Sequence, residues 1–278
     1  MGHHNRHFGG DRYALLGAWS PPTSTANFCE EDYIVTRYIA EFMNSMTNLP
    51  YVYFALRYMY GPGSQGLFKP RTDFMSVSLL VLGICSFLFH ASLRHSMQYA
   101  DELGMLGLAW ALLQGILTVR GRSSSNDRLV NTTLNIVFPL FAAFYVWTGK
   151  IIYHASAFFI MMVLIVIRVA HLFFFRKPAF PEDKMRVWKS RGRISLALLV
   201  FAYVLWNIDL EFCAELRLLR ERVGLPWAWL LELHGWWHIM TAVSASQFMD
   251  TVRELQEVFA EEETAKEEST KEEKPRMG

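Results

Sequence analysis

Apolar residues along this chain neither alternate nor keep to a narrow helical stripe; they come in long runs. Residues 74–93, 103–119, 129–149 and 194–208 contain no Asp, Glu, Lys or Arg. Residues 151–175 are interrupted only by Arg168, residues 223–249 only by Glu232, and residues 33–56 carry only Arg37 and Glu41. A helix crosses the hydrocarbon core with about 20 predominantly apolar residues. Backbone inside lipid must satisfy its own hydrogen bonds, and these runs lack the alternation of barrel strands, so each predicts a helix. The expectation is an all-α membrane protein, a bundle of seven transmembrane helices.

Composition agrees with that reading. Of 278 residues, 52% are hydrophobic, 15% aromatic and 19% charged, which excludes a disordered chain and is no soluble balance. A formal net charge of +1, with basic residues scattered between apolar runs, gives no case for nucleic acid. No obligate protein partner is evident; the bilayer itself is the expected surrounding. Residues 1–32 form a polar N-terminal segment without the apolar core of a cleaved signal, residues 33–250 the membrane domain, and residues 251–278 a charged tail. The tail reads as a fraying helix followed by a disordered Glu/Lys-rich segment.

The short loops set the orientation. Arg57, Lys69 and Arg71, then Arg120, Arg122 and Arg128, then a basic cluster from Arg176 to Arg193 fall on alternate loops, and the opposite loops carry fewer. The basic side is expected in the cytosol, leaving the N-terminus lumenal and the tail cytosolic. Cys29 and Cys213 then both fall on the lumenal, oxidising side, while Cys85 lies inside a span. A Cys29–Cys213 bridge is the expected pairing, against the alternative of three free thiols.

Ionisable groups inside spans are costly and point to function. His234 and His238, in HGWWH, project from one helix face a turn apart. His90, near the same end of the second span, reaches a comparable depth. Three neutral imidazoles leave a fourth tetrahedral position for water, as in catalytic zinc. Ser86 lies one turn before His90, and Asp101 opens the third span. Zinc would make hydroxide available at neutral pH, Asp101 would take a proton, and Ser86 would hold a developing oxyanion. His154, near a span end, reads more simply as solvated, and Glu232 as a hydrogen-bond partner for an imidazole or an exposed carboxylate.

The segments SFLFHASLRHSMQYADEL, ELHGWWHIMTAV, WSPPTSTANFCEEDYIVTRYIAEFMNSMTNL and LWNIDLEFC together resemble the alkaline ceramidases, the fungal-type members in particular, over about residues 17–250. The resemblance implies an intramembrane amidase of the endoplasmic reticulum or Golgi. Its substrate would be ceramide, or its dihydro- or phyto- forms, cleaved to a sphingoid base and a fatty acid. It assigns the zinc to His90, His234 and His238, catalysis to Ser86 and Asp101, and the lumenal disulfide to Cys29 and Cys213. It also implies a calcium site on Asn27, Phe28, Glu30, Asp32 and Glu41. Relative to the family's DWCEEN, Asn27 and Asp32 exchange amide and carboxylate, and Phe28 offers only its carbonyl; oxygen donors of these kinds suit calcium. From the residues alone, an acidic, solvated span entry is the first choice, and Glu41, placed inside the membrane where an unpaired carboxylate is costly, argues against it.

Two other functions fit parts of the pattern. A seven-helix zinc receptor of the adiponectin-receptor type shares the three histidines but not the CEED, AEF and WNIDLEFC segments. A proton-relaying transporter would bind no metal and usually carry an internal repeat, which this sequence lacks.

Overall fold

The structure is a computed structural model, describing residues 11–119, 125–177 and 179–273. Among these the chain is helical, with one isolated bridge between Thr36 and Ile39 and no strand. The helices are α1 (Phe42–Met46), α2 (Leu49–Met59), α3 (Phe74–Ser92), α4 (His95–Leu117), α5 (Ser125–Thr148), α6 (Ile151–Phe174), α7 (Glu182–Glu211), α8 (Cys213–Val223) and α9 (Leu233–Glu273). A 3-10 turn, Trp227–Leu231, leads into α9.

Five helices are long and apolar enough to cross a bilayer, namely α3, α4, residues 128–148 of α5, α6 and α7, as expected of an integral membrane protein. They divide by burial. In α3 and α4, 56% and 61% of the most apolar stretch is buried, against 6%, 11% and 17% in α5, α6 and α7. The first pair builds the interior, and the other three turn large apolar residues such as Leu140, Phe159 and Phe201 outward, where lipid tails replace protein contacts.

The expected first and seventh spans take a different form. Residues 33–41 are not helical, and α1 is separated from α2 by Thr47 and Asn48. Pro50, at the second position of α2, has no N–H to continue an incoming helix. Side chains add to the end of α1: Asn48 Nδ2 donates to Asn44 O at 2.9 Å, and the Thr47 hydroxyl joins its own N–H on Met43 O, at 2.8 Å. The seventh starts later than the apolar run, because Gly224 and cis-Pro226 interrupt residues 223–232 and α9 begins at Leu233.

The tail differs from the frayed segment expected of it: α9 continues to Glu273, and Val252, Leu255, Val258 and Phe259 are buried in the main core. Their spacing keeps one face against the bundle. Polar positions between them are paired: Arg253 with Asp73 (2.7 Å), and Glu254 with Trp188 Nε1 and Arg191 (2.6 Å each). Asp73 also caps α3, accepting from Ser76 N at 2.6 Å while Ser76 Oγ accepts from Asp73 N, so the same carboxylate starts one helix and fastens another. Residues 1–10 and 274–278, and Arg120 and Arg122 of the basic loop, lie outside the described residues.

Cys29 and Cys213 form a disulfide with Cα atoms 5.3 Å apart, tying the N-terminal segment to the start of α8 across a separation of 184 residues. Cys85 is free. Closing so long a loop restricts the unfolded chain, a contribution of about 2–5 kcal/mol. Cys29→Ser is therefore expected to lower the melting temperature and to abolish the mobility difference between reduced and non-reduced protein on electrophoresis. Parent protein that runs identically with and without reductant would contradict the bridge.

Candidate metal centre

The link from α3 to α4 is only Leu93 and Arg94, with Leu93 in the left-handed region (φ 48°). It folds α4 back along α3, placing Asp101 beside Ser86. The Ser86 hydroxyl and the Asp101 carboxylate are close enough to interact. Gly83, one turn before, lets α2 approach: a Cβ there would lie 2.8 Å from Tyr51 Cβ. Tyr51 is held by a hydrogen bond to Thr241 of α9, and its ring centroid lies 6.5 Å from that of His238. The interior of α2, α3, α4 and α9 is thus one continuous site.

His90, His234 and His238 converge there, with one ring nitrogen from each lying within 4.8 Å of the others. All three are buried, His90 completely. Among the described residues this is the only group of three His, Cys, Asp or Glu side chains so gathered. The distant side of each residue is fixed by a different partner. His90 Nδ1 lies 2.5 Å from Glu41 Oε2, which also accepts from Asn44 Nδ2 at 3.0 Å, while Glu41 Oε1 accepts from Phe28 N at 3.0 Å. With Glu41 ionised and accepting, Nδ1 of His90 carries the proton and Nε2 presents a lone pair. That Nε2 is buried with no hydrogen-bond partner. His238 Nδ1 lies 3.0 Å from Thr47 Oγ1. The backbone N–H of His234 donates to Asp209 Oδ1 at 3.3 Å, and its ring stacks on Phe28 with centroids 3.7 Å apart. A buried orphan nitrogen facing two further imidazoles, each backed by protein groups, is a donor set that fits a tetrahedral transition metal such as zinc.

The acidic residues expected at the calcium site lie beside this cluster and are buried. Glu30 accepts from the backbone N–H groups of Met43 (2.6 Å) and Asn44 (2.8 Å), capping α1. Both oxygens of Asp32 and Oδ1 of Asn27 are buried without a hydrogen-bond donor. Phe28 donates its N–H to Glu41 and packs on His234. Burial pushes the Glu30 carboxyl up to about 8, with Glu41 adding to it, and burial together with Glu41 and Asp11 pushes Asp32 up to about 9. Carboxylates held this way are short of positive charge.

Several readings change. Glu232 is buried and pairs with Arg220 at 3.2 Å, and Arg220 also donates to Cys29 O at 3.0 Å. The carboxylate that serves an imidazole is Glu41, from 49 residues away in sequence. His154 is buried rather than solvated, with Nε2 3.0 Å from Glu102 O. Glu102 lies in a second polar network, accepting from Gln98 Nε2 at 3.0 Å and from the Tyr145 hydroxyl, which fastens α5 and α6 to α4. Asp209 was missed as an individual residue: one oxygen holds the His234 amide and the other accepts from Cys29 N at 3.2 Å. A carboxylate ending an otherwise uncharged run was the signal available.

The profile of the Ceramidase family matches residues 20–274. Mouse alkaline ceramidase 3 is 29% identical over 234 residues, 82% of each chain. The yeast alkaline ceramidase YPC1 is 26% identical over 266 residues, 87% of this chain and 80% of the yeast protein. An Arabidopsis thaliana alkaline ceramidase is 38% identical over a shorter stretch of 95 residues. These matches favour the ceramidases over the receptor alternative, and with the family profile spanning nearly the whole described chain, this protein belongs to the ceramidase family of hydrolases.

Proposed function

We propose that this protein is a zinc-dependent intramembrane amidase that hydrolyses the N-acyl bond of ceramide, or of its dihydro- or phyto- forms, to a sphingoid base and a fatty acid. The observation that carries this reading is the convergence of His90, His234 and His238 beside the Ser86–Asp101 pair. The histidines would hold the metal, which when bound supplies Lewis-acid polarisation of a carbonyl and a nucleophile at neutral pH. Asp101 accepts the proton released as water attacks the acyl carbon. On taking it, Asp101 changes from acceptor to donor toward Ser86, so the Ser86 hydroxyl is freed to donate to the oxyanion forming on the amide carbonyl. As the carbon–nitrogen bond breaks, Asp101 returns its proton to the departing amine, leaving fatty acid and free base. Burial of the site keeps bulk water from competing with these hydrogen bonds.

In this reading α3 to α7, the α1–α2 pair and the first part of α9 make seven spans, with the disulfide end lumenal and the end of α9 cytosolic. An endoplasmic reticulum or Golgi membrane supports both the substrate supply and an oxidised Cys29–Cys213 pair.

The site on Asn27, Phe28, Glu30, Asp32 and Glu41 is assigned to calcium, supported by the unpartnered oxygens of Asp32 and Asn27. Glu41 touches both this site and His90, so calcium there would brace the metal cluster. The pH dependence has a definite sign. In the cation-free fold, Glu30 and Asp32 titrate near 8 and 9, above their ordinary 4.5 and 3.8. Their contribution to stability is present at low pH and lost as pH rises through those values. Calcium, which binds the ionised form, is expected to raise the melting temperature little at pH 6 and distinctly more at pH 9, and Asp32→Ala should remove the difference. An equal calcium response at both pH values would contradict the assignment.

A further inference from the structure

The partner of His238 sits on a break between helices, and the backbone around it is built to admit it. Thr47 is the residue that ends α1, and its side chain lies 3.0 Å from His238 Nδ1. The hydroxyl proton is already committed to carbonyls of α1, Met43 O at 2.8 Å and Asn44 O at 3.1 Å. Its oxygen is therefore left as an acceptor toward the ring, so His238 donates from Nδ1 and turns Nε2, with its lone pair, into the cluster. The approach depends on Gly235, one turn earlier on α9. A Cβ at Gly235 would lie 3.0 Å from Thr47 Cγ2 and 3.3 Å from Thr47 Oγ1. Thr47 and Gly235 both border a cavity of about 340 Å³ lined mostly by apolar residues including Met43, Trp229 and Trp236, so a displaced Thr47 side chain has space to turn into.

We propose that Thr47 is a positioning residue for His238, fixing its tautomer and ring orientation, and that Gly235 is glycine because any side chain there would push the Thr47 hydroxyl off the imidazole. The proposal rests on the metal reading above. It concerns how one ligand is held, and Thr47 touches neither substrate nor the reacting atoms.

The test is metal retention in detergent-purified protein, measured as zinc left after equilibration with a competing chelator, alongside kcat and KM. Thr47→Val keeps the shape and removes the acceptor; partners of metal-ligating histidines typically matter about 10- to 100-fold in affinity or activity. Zinc retention in Thr47→Val is expected to weaken by about tenfold or more, with kcat falling and KM nearly unchanged, whereas Thr47→Ser should stay close to the parent. Gly235→Ala should weaken retention as well. Gly235→Ala combined with Thr47→Ser, which removes the methyl that the new Cβ would meet, should recover most of it. This pair of variants also decides the matter if Thr47→Val does not fold. Unchanged zinc retention in folded Thr47→Val, or a double variant no better than Gly235→Ala alone, would overturn the proposal. Parent protein that retains no zinc would instead overturn the metal reading on which it rests.

Discussion

Replacing His238 or His234 by alanine is expected to remove bound zinc and ceramide hydrolysis together. Each supplies one of three ring nitrogens that lie within 4.8 Å of one another, and no other described His, Cys, Asp or Glu joins that group. Two imidazoles cannot hold the metal in the geometry that three provide. Losing several kcal/mol of charge stabilisation corresponds to roughly a 10³-fold fall in kcat/KM or more. The variants should remain folded, because the His238 ring is held only at the end of α1, by Thr47 and the Asn44 backbone, and the amide of His234 keeps its contact with Asp209 whatever the side chain. Melting temperature, zinc content and fatty acid release measured on the same preparations would check this. Retained zinc with lost activity would mean that these histidines do not hold the metal.

Asp101→Asn is expected to have the opposite signature, with zinc kept and chemistry lost. Asparagine preserves the shape and a hydrogen bond to Ser86 but cannot take a proton from water or return it to the amine. General acid–base groups contribute about 10²–10⁴-fold, and that loss should fall on kcat. Ser86→Ala should also lower kcat while keeping zinc, by about 10²–10³-fold, because it removes the donor aimed at the developing oxyanion. If the proton relay between the two is correct, the double variant loses much less than the product of the two single losses, since either substitution breaks the same chain. Single and double variants assayed over a range of ceramide concentrations would decide it. Multiplicative losses would contradict a coupled pair.

The parts of this site that were legible in the sequence are those set by local geometry. HGWWH and the Ser86–His90 spacing each put two groups on one helix face whatever else the chain does. The convergence of the two sets followed from counting apolar runs and setting their direction by loop charge. Partnerships across the bundle were not legible in the same way. Glu41 looked like a calcium ligand only, and its 2.5 Å contact with His90 depends on residues 33–41 staying non-helical, with Glu41 N donating to His90 O at 3.0 Å, which the run of apolar positions concealed. Glu232 reads from its place in sequence as an imidazole's partner or an exposed carboxylate, yet it is buried and pairs with Arg220. The extent of α9 was underestimated because Glu, Arg and Gln between Val252 and Phe259 lowered the apolar density that marks a span. Those charges face Asp73, Trp188 and Arg191 on neighbouring elements, so the helix stays packed where the chain looks solvated. Similarly, His154 sits near a helix end, where exposure is the usual outcome, yet the Glu102 carbonyl and the surrounding bundle bury it.

The central claim is that the three buried histidines hold a metal used for amide hydrolysis of a membrane lipid. Its most direct test is the release of fatty acid and sphingoid base from defined ceramides by detergent-purified protein, with zinc content determined on the same sample and on His234→Ala. The account predicts near-stoichiometric zinc and hydrolysis in the parent, with both lost in the variant. Well-folded parent protein that hydrolyses ceramide without bound metal, or that binds zinc and cleaves no ceramide, would contradict it.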